Sequence, residues 1–293
     1  MNKYEEALQA FQLAVKESRD VHSLTNLAWM YYHEESNSQI AEELLIEVLQ
    51  MNPQSYFPYN LLGEIYVDRN EWKKAVETLL KGIAITSTIE ANNNLAVAYY
   101  HLGNLELAAE FFIKGSKTNS DYASMSHIWC LIKLEKNVEA KKALEKVDEE
   151  DDEFVGSVEV AEAYFELKDF ATAELWYEKG WKDYYKQPIW VDGYIYTLVN
   201  NNQSDTAEQQ IQLAMEEKHA EIEDSEQDEC NDSWTESDKE RNIQRLTAEL
   251  KQYQTLLERI QSGYIPSTQF STSLITRCYL FGCTRHQYSE YGK

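Results

Sequence analysis

The residues best suited to hold a metal gather near one end of the chain. Cys278, Cys283 and His286 offer two thiols and an imidazole, the borderline-soft donors that zinc takes, and Cys230 or His219 could supply a fourth ligand. The spacing is loose, because no C-x-x-C pair occurs, so the three stand as a weak candidate set and no cofactor is expected. The competing reading leaves the cysteines as thiols while Leu274, Ile275, Tyr279, Leu280 and Phe281 tuck back against the preceding helix. The four cysteines, which also include Cys130, are too few and too scattered for a disulfide scaffold.

Catalytic groupings are absent from the sequence. No phosphate-cradling glycine loop, HExxH helix or GxSxG elbow is present, and the six histidines are dispersed. The expectation is a protein that is not an enzyme. Its charge is lopsided, with 51 Asp plus Glu against 27 Lys plus Arg and a net charge of -24. Such a field repels phosphate backbones and anionic lipid, which argues against nucleic acid and membrane as partners and favours a basic protein or peptide. Acidity that merely maintains solubility explains the same numbers. No apolar run approaches the ~20 residues that span a bilayer. The opening MNKYEEALQAFQ is charged and amphipathic, unlike a signal peptide, so a cytoplasmic location is expected.

The elements that must position these residues are helices. Only ten Gly and four Pro occur, too few turn formers for a strand-rich fold, and Ala, Leu, Glu, Lys and Gln abound. A repeat then emerges. In Tyr56 to Thr88, Leu62-Gly63, Tyr66, Trp72, Ala75, Leu79 and Gly82 fall at helical spacings. Leu95-Ala96, Tyr99, Gly103-Asn104, Leu105, Ala108, Phe112 and Gly115 repeat them about 33 residues later. This pattern resembles the tetratricopeptide repeat, a 34-residue helix-turn-helix. Small residues at Gly63, Ala75, Ala96 and Ala108 let neighbouring helices approach, and Tyr66, Leu79, Tyr99 and Phe112 fill the space beside them.

The pattern extends in both directions. Leu27-Ala28, Tyr31, Ala41, Leu45, Val48 and Pro53 make an upstream unit with about one residue inserted in its HEESNSQ turn. Before it, Tyr4, Ala7, Phe11 and Ala14 read as a second helix without its first, as if the start codon were called late or the chain trimmed. Downstream, Val160-Ala161, Tyr164, Phe170, Ala173, Tyr177 and Gly180 form a good unit, and Tyr194, Leu198, Ala207, Ile211 and Ala214 a weaker one. Between them Asp121 to Val147 is degenerate, with His127 where the family has Leu. The fold expected from the resemblance is an all-α, right-handed superhelical solenoid of about six units and a half repeat over residues 1–215.

The resemblance implies a concave face built from the first helix of each repeat, a surface that in this family commonly receives a peptide. The family's groove positions fall on Asn26, Trp29, Tyr32, Phe57, Asn60, Glu64, Asn93, Asn94, Tyr100, Trp129, Glu162 and Tyr196. His22, His33, Asp68, His101, Tyr122, Met125, Glu159, Phe165 and Asp192 flank them. Asn26 and Asn94 occupy matching positions, where an amide with both donor and acceptor can pair with a ligand backbone without reading its side chains. The aromatic residues serve equally well as packing between repeats. A carboxylate clamp of the chaperone-binding subtype is missing, because its places hold Phe57, Asn60, Leu61 and Glu64. The expected function is a non-catalytic scaffold or adaptor that binds a protein or peptide in this acidic, aromatic groove. The alternatives are an immunity or antitoxin protein that neutralises a basic toxin, or a peptide-responsive regulator, although no output domain is evident.

Three further segments follow the repeats. Residues 216–238 read as an acidic linker, since Glu216 to Glu240 holds twelve acidic residues and two lysines. Residues 239–262 read as an amphipathic helix opened by a Ser237/Glu240 capping box, with Ile243, Leu246, Leu250, Tyr253, Leu257 and Ile260 as its stripe. That stripe suits either a cap on the last repeat or a dimer through residues 239–262. Residues 263–293 read as an irregular tail without a family match.

Overall fold

The computed structural model describes residues 3–268 and 270–286. Fourteen helices and no strand occur among them, and consecutive helices pack on one another within residues 3–133 and again within 157–261, as in helical-repeat proteins. The half repeat is α1 (Lys3–Glu17); the side chain of Tyr4, assigned to it above, lies outside the described residues. Six pairs follow: α2 (Val21–His33) with α3 (Ser38–Gln50), α4 (Phe57–Asp68) with α5 (Trp72–Ile85), α6 (Ile89–His101) with α7 (Leu105–Lys114), α8 (Tyr122–Lys133) with α9 (Asn137–Leu144), α10 (Ser157–Glu166) with α11 (Phe170–Asp183), and α12 (Pro188–Asn200) with α13 (Ser204–Gln227). The last helix is α14 (Glu236–Gln261). None of these helices is long and apolar enough to cross a membrane.

The turn inside each pair is built on one plan. A single residue adopts the left-handed conformation at Ser36, Asn70, Gly103, Glu135, Lys168 and Asn202. The next backbone N–H reaches back to close the first helix, from Glu71 to the Tyr66 carbonyl at 2.8 Å, from Asn104 to Tyr99 at 2.9 Å and from Asp169 to Tyr164 at 3.0 Å. This closure satisfies a carbonyl that the helix end would otherwise leave orphaned. The first turn spans one residue more, from the Asn37 N–H to the Tyr31 carbonyl at 2.7 Å, which accommodates the extra residue read in HEESNSQ.

Close approach is the second constraint. A Cβ on Gly63 would stand 2.4 Å from Leu79 Cδ2, so α4 and α5 pack through that glycine. Ala41, Ala75, Ala108, Ala140, Ala173 and Ala207 recur at the corresponding place of each second helix and are all fully buried. His127, at a position where the repeat has Leu, is held by a hydrogen bond between its Nδ1 and the Ala109 carbonyl at 2.8 Å.

The chain forms two compact units. Among the described residues the first contains 3–136, 151–153 and 272–286, and the second 137–150, 154–268 and 270–271. In the second unit the expected acidic linker is corrected. Residues 216–227 prolong α13, and 236–238 already belong to α14. The acidic stretch orders because α14 packs along it and because Lys218, fully buried, reaches Glu221 at 3.1 Å and Glu249 of α14 at 3.3 Å. Lys218 also lies 3.7 Å from the centre of the Tyr185 ring. The cap of α14 is a Thr235/Asp238 box, not Ser237/Glu240. Its buried stripe is Leu246, Leu250, Tyr253 and Leu256, with Leu257 only half-buried, and it is turned onto α12 and α13 of the same chain.

The left-handed turn residues yield a stability test. Gly103, at φ +78 with open space where a Cβ would go, should lose about 1 kcal/mol on replacement by Ala through backbone strain alone. The exposed Lys168, at φ 57, should gain stability on replacement by Gly. Equilibrium urea unfolding should give midpoint shifts of opposite sign for Gly103→Ala and Lys168→Gly.

Candidate functional site

Along the first helices α2, α4 and α6 of the first unit runs an extended segment of the chain itself, residues 272–281. Its backbone is held at two stations by side-chain amides. Asn94 Nδ2 donates to the Ile275 carbonyl at 2.8 Å, and its Oδ1 accepts the Ile275 N–H at 2.8 Å. Asn26 does the same for Phe281, with Nδ2 to the carbonyl at 3.0 Å and Oδ1 from the N–H at 2.6 Å. Both amides are buried. Asn93 Nδ2 donates to the Ser273 carbonyl at 2.9 Å, Trp29 Nε1 to the Arg277 carbonyl at 3.3 Å, and His101 Nε2 pairs with Thr272 Oγ1 at 3.1 Å.

The distance between stations follows from elementary geometry. Six residues of extended chain span about 20 Å. Two steps between packed helices of 8–10 Å each cover roughly the same length. The paired asparagines therefore grip residues six apart because α2 and α6 flank α4.

Side chains of the segment seat between the stations. Tyr279 is fully buried, edge-on to Phe57 at 5.6 Å, and Phe281 lies 4.9 Å from Phe57 and stacks on His22 at 4.2 Å. Arg277 Nη1 meets Glu90 at 2.7 Å. Beneath them Glu64 is fully buried, with one carboxylate oxygen 3.4 Å from His33 Nε2. Burial drives the Glu64 pKa well above the usual carboxylate range, more than the nearby Arg277 backbone N–H lowers it, and burial pulls His33 down to about 4. Burial thus favours the uncharged form of both groups, which weakens the negative field beneath the segment.

Besides the fully buried Glu64, the groove residues named from sequence divide into three groups. Asn26, Trp29, Phe57, Asn93 and Asn94 meet the extended segment. Tyr32, Asn60, Tyr100 and Trp129 are placed in the first unit's packing: Asn60 is fully buried against Gly82, Trp129 is buried within α8, Tyr32 packs edge-on to His33 at 4.6 Å, and Tyr100 edge-on to His101 at 5.5 Å. Glu162 and Tyr196 belong to the second unit. There Glu162 is pushed up to about 8 by burial and by repulsion from Glu159 and Glu166, and Tyr196 packs edge-on to Phe165 at 5.6 Å. Also in the second unit, Asp192 accepts a hydrogen bond from Tyr264 at 2.8 Å, with Arg259 at 3.7 Å.

The expectation that the apolar tail residues tuck against α14 is corrected, since Tyr279 and Phe281 join the core of the first unit. Sequence reasoning named Asn26 and Asn94 as matching positions but did not foresee that residues 272–281 lie against them. A signal was available in the every-other-residue spacing of Ile275, Arg277, Tyr279 and Phe281, which is the period of an extended chain. Cys278, Cys283 and His286 come together at the end of the same segment, their donor atoms within 4.8 Å of one another.

Removing either paired amide leaves half-buried backbone groups of the segment without those partners, at a cost of about 1 kcal/mol. Asn26→Ala should accelerate hydrogen exchange at Phe281, and Asn94→Ala at Ile275, each with the helices unchanged. Glu64 supplies a pH test. Near pH 4.5 and below, the folded and unfolded states both carry its proton; as pH rises toward the raised folded value the unfolded chain ionises first and stability falls. Glu64→Gln should therefore raise the urea midpoint relative to the natural chain at pH 8, with the difference closing as pH approaches 4.5.

A comparison with curated proteins finds no match. The tetratricopeptide repeat family model matches residues 89–122, which comprise α6, α7 and the first residue of α8 and include Asn93 and Asn94. The described residues thus fold as helices without a strand, and residues 89–122 are similar to a tetratricopeptide repeat.

Proposed function

We propose that the chain is a non-catalytic peptide-binding scaffold whose groove on α2, α4 and α6 holds an extended, cation-bearing segment by its backbone. The observation that carries this reading is the pair of matching amides, Asn26 and Asn94, each bonded in both directions to one residue of an extended chain. Such pairing is indifferent to side chains, so affinity is supplied by the backbone and selectivity by the places between. One place is aromatic, formed by Phe57 and His22, and the other is the carboxylate of Glu90. The favoured partner presents an Arg or Lys two residues before one aromatic and four before another, the pattern of Arg277, Tyr279 and Phe281. Residues 272–281 occupy the groove in cis, and a partner enters by displacing them.

The test uses the full chain with Tyr279→Gly and Phe281→Gly to loosen the resident segment, and a fluorescent peptide spanning residues 272–286. Anisotropy should report saturable binding that the additional changes Asn26→Ala and Asn94→Ala abolish. An Arg277→Glu peptide should bind at least tenfold more weakly, the order expected from losing a charge-assisted bond. Binding that survives the asparagine changes would sink the reading.

A further inference from the structure

The resident segment ends in a turn that brings three soft ligands together. Leu280 accepts a hydrogen bond from the Cys283 N–H at 3.3 Å, and Gly282 takes φ +76, a conformation costly for any residue with a side chain. This reversal carries Cys283 back beside Cys278. Cys283 Sγ and His286 Nδ1 are 3.3 Å apart, and the three donor atoms lie within 4.8 Å of one another. Zinc bonds of about 2.3 Å to sulfur and 2.0–2.1 Å to nitrogen place tetrahedral ligands roughly 3.5 Å apart. The Cys283–His286 pair thus already has the spacing of a loaded site, and Cys278 lies within an ångström or so of completing it.

We infer that Cys278, Cys283 and His286 form a site for a thiophilic divalent cation of the zinc class, and that the cation fastens the end of the segment seated in the groove. Two thiolates neutralise the cation's charge, the imidazole adds a neutral third ligand, and one tetrahedral position stays open. Binding releases the two thiol protons to solvent, so no oxidant or reductant is needed. The turn is held in position from both sides: Tyr279 is buried beside Phe57, and the Asn26 amide grips the Phe281 backbone one residue before Gly282. A cation there closes residues 278–286 into a loop anchored to α2 and α4. The inference stands whether or not a partner ever enters the groove, because it concerns only the chain's own tail.

The experiment titrates the full-length, reduced and metal-stripped chain with cobalt(II) alone. A thiolate-to-cobalt charge-transfer band should rise to one equivalent and vanish when zinc is added. Cys278→Ser and Cys283→Ser should each abolish the band, and His286→Ala should weaken binding at least tenfold, whereas Cys230→Ser should leave it intact. Circular dichroism should be unchanged in all four variants, because the turn lies outside the helices. Zinc should slow hydrogen exchange at Phe281. No band, a band that survives in the Cys278→Ser, Cys283→Ser double variant, or loss of two thiols to a disulfide in air without metal uptake would overturn the site; cation binding without slower exchange at Phe281 would overturn the fastening.

Discussion

An extended chain laid across helices brings with it backbone donors and acceptors on both edges, and helices offer none in return, because their own are already paired. Burying such a chain is therefore unfavourable unless side chains meet its N–H and C=O groups. A carboxamide is the side chain with one donor and one acceptor set side by side, and Asn94 and Asn26 each close such a pair with a single residue. The full burial of Tyr279 and the partial burial of Phe281 depend on this pairing, since without it the same burial would strand the backbone around them.

The helices that carry those amides are held at fixed spacing by features distributed along the whole repeat array. The left-handed residue in each turn sets where the second helix returns, and a fully buried alanine in the second helix sets how near it comes. Asn26 and Asn94 sit one position before the Leu-Ala pairs Leu27-Ala28 and Leu95-Ala96 that pack the repeat, so their register is locked to the core. This is why they face one line although 68 positions separate them in sequence. A side chain on a surface loop would have no such guarantee.

The repeat itself was legible because its periodicity reports packing that is local: Leu62-Gly63 and Leu95-Ala96 each contact neighbours within about one repeat. The amide stations were legible for the same reason, as matching positions in two repeats. What stayed hidden depended on contacts distant in sequence. The destination of residues 272–281 is fixed by partners some 180 to 255 positions away, which no local pattern encodes. The acidic stretch was misread because composition averages over a helix. Packing of α14 along the stretch, with one buried lysine, Lys218, meeting carboxylates on two helices, orders residues that would repel one another if considered alone. Tyr32 and Tyr100 looked like groove residues because aromatic side chains in a first helix suit packing and binding equally.

The resident segment shares a covalent chain with the helices it covers, and this changes the arithmetic of competition. A tethered occupant acts at an effective concentration on the order of millimolar, set by its tether and not by the amount of protein present. A rival with the same contacts, if the proposed groove admits one, has to exceed that concentration merely to share it, and one that matches poorly is kept out. On the proposed reading, occupancy in cis is a threshold: weak, common sequences are filtered before recognition begins, and only a rival with better contacts, or a chain whose own tail has been loosened, crosses it.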